Sequence, residues 1–519
     1  MQKVLAEPPT TATEQSRTFT RAQVGMDTPR VTVETHLPGG LPGFTLVGLP
    51  ETAVREAKDR VKSAIQNCNM DFPVGKVVVN LAPADLAKEG ARLDLAIAVS
   101  VLGATGQIPH ENIDRFEFLG ELSLGGELRP IRGCLCAALA LARETAQQAR
   151  LVVPWANARE LNMAPAERFV AVRHLNDVIK LLRDPQGFPT PESPAMARNP
   201  QLESDGSLND VIGQHGAKRA LVVAAAGGHH LLMVGPPGTG KTMLARRLAR
   251  LLPGLSDERA CEVAAVYSAA GLVRADPHRP PFRDPHHSAS APAIVGGGSN
   301  PQPGEISLAH QGVLFLDELP HFKPSVLNLL REPLETRQVS IARAQFRARF
   351  PASFQLLAAM NPCPAGRVCN ERSCRCSPDQ VRRYRSRISG PLLDRIDLHV
   401  AVPQVPKNLL LTGERVPELA EMDAVAQVAT ARAEQHNRQH KLNADLSPRD
   451  ITSSPPLDDA SRSLLSAAAD RFQLSARGYH RVLKVARTVA DLERSAEITP
   501  AHIAESLSYR SLDWESERY

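Results

Sequence analysis

Several things are scarce in this chain, and each scarcity excludes a class of protein. No apolar run reaches the roughly eighteen residues that a membrane-spanning helix requires. The first twenty residues, MQKVLAEPPTTATEQSRTFT, lack an apolar core of signal-peptide length, so a cytoplasmic protein without membrane contact is expected. Strong net charge is missing too. At +5 over 519 residues, attraction to an acidic partner has to come from local clusters. No repeat of solenoid length occurs, which argues against a repeat architecture. Eight cysteines in so long a chain make no disulfide framework in a reducing compartment.

What is present is an ordinary globular composition, 43% apolar and 23% charged. The chain is too long for one core, and a prior of about 150 residues per domain suggests roughly three units. From Val31 to Leu182, VTVETHL, FTLVGL, a helix from Glu51 to about Gln66, KVVVNLA and the apolar run RLDLAIAVSVL alternate in the manner of an α/β domain. Prolines and small polar residues then break all periodicity over residues 183–207, which reads as a linker. From Leu208 the runs LLMV, VLFL and QLLAAM are continuously apolar, as strands buried on both faces of a parallel sheet are. The end of the chain has helical spacing. The expected fold class is α/β, divided as 1–182, linker 183–207, parallel-sheet core 208–405 and all-helical lid 406–519.

LLMVGPPGTGKTMLARRLARLL places a full phosphate-loop pattern between an apolar strand and an amphipathic helix. The loop comprises Gly235, Pro236, Pro237, Gly238, Thr239, Gly240, Lys241 and Thr242. Its glycines let backbone N–H groups turn inward around phosphate oxygens, and the helix start adds its dipole. Lys241 is expected to reach the β and γ phosphates of ATP and Thr242 to hold Mg²⁺. Some 75 residues on, GVLFLDEL ends a strand in two carboxylates: Asp317 to position the magnesium shell, Glu318 to polarise the attacking water. Asn361, leaving the strand QLLAAM, either aligns that water or forms a turn before Pro362.

VSIARAQFRARF, residues 339–350, alternates like a strand, with Val339 and Ile341 read on one face and Phe346, Ala348 and Phe350 on another. Arg343, Arg347 and Arg349 interrupt it. Between Arg337 and Asp397 there are twelve arginines, no lysine and four acidic residues, a local excess of eight positive charges. Such a stretch either grips a polyanion through its phosphates, without reading bases, or is an edge hairpin kept soluble by charge. Just downstream, Cys363, Cys369, Cys374 and Cys376 crowd one loop. Four sulfurs suit tetrahedral Zn²⁺, but the spacing has no clean C-x-x-C pair, and unligated thiols in a basic loop are the alternative.

RDPHHSASAPAIVGGGSNPQPGEISLAHQGVLFLDELP, REPLETRQVSIARAQFRARFPASFQLLAAMNP and RISGPLLDRIDLHV closely resemble the magnesium-chelatase-like AAA+ ATPases of the YifB/ComM family and, more distantly, minichromosome maintenance helicases. HLPGGLPGFTLVGLPETAVREAKDRV and LSARGYHRVLKVARTVADL extend the resemblance over nearly the whole chain. It implies a Lon-protease-like amino-terminal domain, Arg395 of LLDRID as an arginine finger for a neighbouring subunit's ATP, and Arg477 of LSARGYHR as a sensor arginine of the lid. A homo-oligomeric ring, a hexamer, is implied with them. Read from its residues alone, Arg395 beside two aspartates is a salt bridge, worth about 1 kcal/mol or less if exposed. The stretch at Arg343, Arg347 and Arg349 matches the family's pore hairpin, which implies sequence-independent contact with DNA, single-stranded or branched. Relatives often carry Cys-Pro-Cys-Gly where this chain has Ala365, so a zinc site would need Cys369.

Three activities compete. One is an ATP-driven DNA helicase or branch-migration motor in recombination of incoming DNA during natural transformation. Another is a protein remodeller or chelatase-like ATPase for which DNA is irrelevant, and the third uses nucleotide as a structural switch only. Peptidase chemistry of the Lon type is disfavoured: KEGARLDLAIA has no serine, and no lysine occurs between Lys88 and Lys180. His286 and His287 receive no role beyond an insert that faces the pore.

Overall fold

The computed structural model describes residues 14–48, 56–86, 88, 90–144, 148–188, 207–298, 301–342, 347–366, 376–406, 421–452 and 457–510. Near its start, alternating sequence builds one mixed sheet. Its parts are β1 (Gln15–Arg21), β2 (Arg30–His36), β3 (Gly43–Val47), α1 (Ala57–Asn67), β4 (Lys76–Ala82), α2 (Asp94–Ala104), β5 (Phe116–Phe118), α3 (Cys134–Arg143), β6 (Arg150–Pro154) and β7 (Phe169–Val172). The strands run in the order β3-β4-β2-β1-β5-β6-β7. The pairs β1/β2 and β2/β4 are antiparallel and the other four parallel. Strand β1 lies upstream of the first strand read from the sequence. The apolar run RLDLAIAVSVL contains α2, whose residues are all buried, so no polar face betrays its period.

The second sheet grows from the continuous apolar runs. The elements here are α4 (His215–Gly227), β8 (Leu231–Val234), α5 (Lys241–Leu251), α6 (Asp257–Ala269), β9 (Phe282–Arg283), the short pair β10 (Gly296–Gly297) and β11 (Gln302–Pro303), β12 (Val313–Leu316), β13 (Gln338–Ala342), β14 (Arg347–Pro351), β15 (Gln355–Met360) and β16 (Leu398–Ala401). The order is β9-β12-β15-β8-β16, every neighbouring pair parallel. All residues of β8, β12 and β15 are buried, which is why these runs show no alternation. Four longer helices follow: α7 (Glu421–Gln439), α8 (Asp459–Arg471), α9 (Ala476–Leu492) and α10 (Pro500–Ser508). Helix α9 is buried on two sides. Val485, Val489 and Leu492 join the core of α4 and β8, while Val482, Leu483 and Ala486 meet Leu465 and Ile503.

Strands β13 and β14 stand apart as a two-stranded antiparallel hairpin. Its register pairs Val339 with Phe350 and Ile341 with Ala348, so these four share one buried face, correcting their assignment to two faces. The reason is the reversal of the chain between Ala342 and Arg347. Burying Val339, Ile341 and Phe350 stabilises the hairpin by about 1.5–3 kcal/mol each. The two sheet-bearing units meet where α3 lies on α6. Gly133 N–H donates to the Ser268 carbonyl (2.8 Å), Leu135 N–H to Ser268 Oγ (3.1 Å) and Cys136 Sγ to the Ala265 carbonyl (3.3 Å). No helix among the described residues is long and apolar enough to cross a membrane.

Candidate active site

Because β8, β12 and β15 are parallel neighbours, their carboxyl ends deliver three polar groups to one edge. Gly235 follows β8, and a Cβ there would lie 2.1 Å from the Val402 carbonyl oxygen, so only glycine fits. Gly238 and Gly240 have φ of +76° and +85°, and a Cβ on either would meet nothing within 4 Å. The loop therefore borders open space at Gly238 and Gly240, while its first N–H, that of Gly235, donates to the Met360 carbonyl at 3.1 Å. Lys241 opens α5, and its Nζ donates to the carbonyls of Gly235 (2.7 Å) and Pro236 (2.8 Å) and to Asn361 Oδ1 (3.3 Å). Burial lowers its pKa, opposed by the charges of Asp317 and Glu318.

Thr242 Oγ1 donates to Asp317 Oδ2 at 2.7 Å, and Asp317 Oδ1 accepts the N–H of Glu318 at 2.8 Å. Glu318 sits at φ +52°, a left-handed backbone that non-glycine residues seldom adopt. The structure thus brings Lys241, Thr242, Asp317, Glu318 and Asn361 together at one edge. The sequence reading missed two neighbours. His287 Nδ1 stands 3.4 Å from Glu318 Oε2, its ring against that of His286 with centroids 4.1 Å apart. Asp284 is raised in pKa by burial and then by the charge of Asp317. Both follow β9, whose pairing with β12 carries them to the carboxylates. A two-residue strand gives no sequence signal, so only the sheet order reveals them.

Arg395 and Arg477 are not brought to this edge. Arg395 donates to Glu335 and to the Pro391 carbonyl, and its Nε has no acceptor among the described residues. It lines a cavity of about 280 Å³ with Arg337, Arg432, Arg481, Asp397 and Asp445. His230 and Asp397, which precede β8 and β16, also line it, so the cavity lies at the amino edge of the sheet. Four residues of β8 separate the two edges by about 13 Å. Arg477 is exposed in the first turn of α9.

On the hairpin, Arg347 and Arg349 are exposed on the face opposite the apolar one, across from Ala342 and Ser340. Arg343 lies outside the described residues, as do Cys369 and Cys374. Cys363 is buried and Cys376 half-buried, and among the described residues no group of three or more His, Cys, Asp or Glu is placed to hold a metal. The zinc expectation gains no support.

The open cradle, the lysine and the Thr242–Asp317 pair fit a nucleoside triphosphate with Mg²⁺. When bound, these supply the phosphoryl group and the cation that neutralises its developing charge. A family model described as magnesium chelatase, subunit ChlI, matches residues 207–410. Models described as subunit ChlI of Mg-chelatase and as its C-terminal part match residues 33–157 and 421–510. The chain is 45% identical over 502 residues to the competence protein ComM of Haemophilus influenzae, covering 95% of this chain and 97% of that protein. It belongs to the magnesium-chelatase-like YifB/ComM family. YifB of Escherichia coli is 46% identical over 497 residues, 95% of this chain and 96% of that protein. Lon protease 2 of Bacillus subtilis is 28% identical over 184 residues, 30% of this chain and 33% of that protein. As a YifB/ComM-family protein, the chain carries a magnesium-chelatase-like AAA+ ATPase core, with ATP and Mg²⁺ as cofactors.

Proposed function

We propose that this ATPase is a ring-forming DNA motor, a helicase or branch-migration translocase acting in recombination of incoming DNA. The observation that carries the reading is the hairpin: apolar on one face, with Arg347 and Arg349 exposed on the other. Guanidinium groups in such a row suit phosphates of any sequence. The name of the Haemophilus influenzae relative, a competence protein, supports natural transformation as the setting.

In this reading Lys241 binds the β and γ phosphates and Thr242 with Asp317 holds Mg²⁺. Glu318 orients the attacking water, aided by Asn361. Arg395 faces away from its own phosphate loop, which suits service to the ATP of a neighbouring copy in a hexamer. Arg477 takes the role of sensor arginine on the lid.

Strand displacement and branch migration are to be measured with the wild type and Lys241→Ala. The motor reading expects ATP-dependent activity that disappears in the variant together with hydrolysis. Hydrolysis indifferent to added DNA, in the wild type and in Arg347→Ala/Arg349→Ala alike, would overturn it in favour of a chelatase-like remodeller of proteins.

A further inference from the structure

An isolated two-stranded hairpin is marginal in water, so the position of β13 and β14 is set by whatever covers their apolar face. Two elements do. One is the insert, where a Cβ on Gly296 would approach Ile341 Cδ1 to 3.0 Å. The other comes from more than 300 residues upstream, at the tip between β1 and β2. Val24 and Asp27 exchange hydrogen bonds of 2.9 and 3.1 Å across the turn Gly25–Met26. Gly25 has φ +64°, and a Cβ there would stand 2.8 Å from Ala348 Cβ and 3.3 Å from Phe350 Cζ. Met26 packs at once against the core cluster that includes Val339, Ile341, Ala348 and Phe350, against the group of Val263, Val266 and Tyr267, and against Cys136, Ala265 and Ala269.

The tip has a firm base. Buried Arg21 donates to Glu117 Oε2 of β5 at 2.6 Å and to the Thr28 carbonyl at 3.2 Å, tying both arms of the turn together. Arg92 NH1 donates to Gln23 Oε1 at 2.8 Å.

We propose that the β1–β2 tip is a positioning element for the arginine hairpin. By filling the space behind Ala348 and Phe350 it holds Arg347 and Arg349 outward, and this is a task of the amino-terminal unit. The functional consequence rests on the DNA reading; the bracing itself does not.

The test compares wild type, Gly25→Ala, Met26→Ala and Gly25→Ala/Ala348→Gly in the full chain. Three readouts are taken: amide hydrogen exchange over residues 338–351, affinity for a fluorescent oligonucleotide, and ATP turnover with and without DNA. Gly25→Ala is expected to weaken DNA binding and DNA-stimulated turnover by about fivefold or more, with basal turnover within about twofold of wild type. Adding Ala348→Gly removes the methyl that the new Cβ meets, and the part of the loss due to that contact should return, a coupling that independent sites do not show, while the cost of an alanine at φ +64° remains. Met26→Ala should speed exchange in the hairpin, and it carries the same readouts should Gly25→Ala fail to fold. Wild-type exchange and wild-type DNA affinity in both single variants would overturn the proposal, as would a loss that the second substitution leaves untouched. Arg347→Ala/Arg349→Ala separates the two readings. If that control binds DNA normally, the motor reading fails while hairpin exchange still judges the brace.

Discussion

Glu318 occupies a left-handed backbone that costs a non-glycine residue roughly 1–3 kcal/mol, held in place by its N–H on Asp317 and by the flanking strand. Replacing it by Gln preserves shape and that backbone bond while removing the acceptor for a proton. Phosphate release by Glu318→Gln should fall by about 10²–10⁴-fold, with ATP affinity, measured by equilibrium titration, nearly unchanged. Legibility at this scale was uneven for a physical reason. Lys241, Thr242, Asp317 and Asn361 each directly follow or stand near the end of a buried apolar run, and such runs announce their ends. His287 lies 31 residues before Glu318 behind a strand of only two residues, so nothing local marks it.

Among the elements, the hairpin was readable as alternating sequence, yet which residues share a face was not, because that depends on where the chain turns. The exposed placement of Arg347 and Arg349 makes a quantitative expectation. Each phosphate contact on single-stranded nucleic acid contributes about 0.7 to the slope of log K against log salt. Binding isotherms of Arg347→Ala/Arg349→Ala across a salt series should therefore show a slope shallower by about 1.4 than wild type. The helix α2 illustrates the opposite difficulty. Its eleven residues are all buried, so burial itself erased the pattern that would have identified it.

If Arg395 completes a neighbour's site, Lys241→Ala and Arg395→Ala chains are each inactive, but their 1:1 mixture should regain about a quarter of wild-type turnover, since that fraction of heterologous interfaces is intact. One contribution to acid stability comes from His230, whose pKa burial pushes down to about 4, and whose Nδ1 accepts the N–H of Leu356 at 3.0 Å. The folded pKa lies below the ordinary 6.5, so the unfolded chain binds the extra proton. Stability is complete above pH 6.5 and declines toward pH 4, by roughly 2 kcal/mol at pH 5 from this group. Thermal melts of His230→Asn, which keeps an acceptor but cannot titrate, should show a flatter loss between pH 7 and 5. The contact between the β1–β2 tip and the hairpin belongs to the whole molecule as well. No local rule foretells a meeting of Gly25 with Ala348, because it requires both units to be folded.

Only Ala352, Ser353 and Phe354 separate β14 from β15, and the last residue of β15 is followed by Asn361, bonded to Lys241. Ala352 N–H is tied to the Arg337 carbonyl and Gln311 N–H to that of Ser353, so the joint has little slack. Strand β15, six residues or about 20 Å of extended backbone clamped on both sides, resists stretching and compression. A shift of the hairpin's returning arm therefore has three residues in which to be absorbed before it meets a strand whose far end adjoins Lys241 through Asn361.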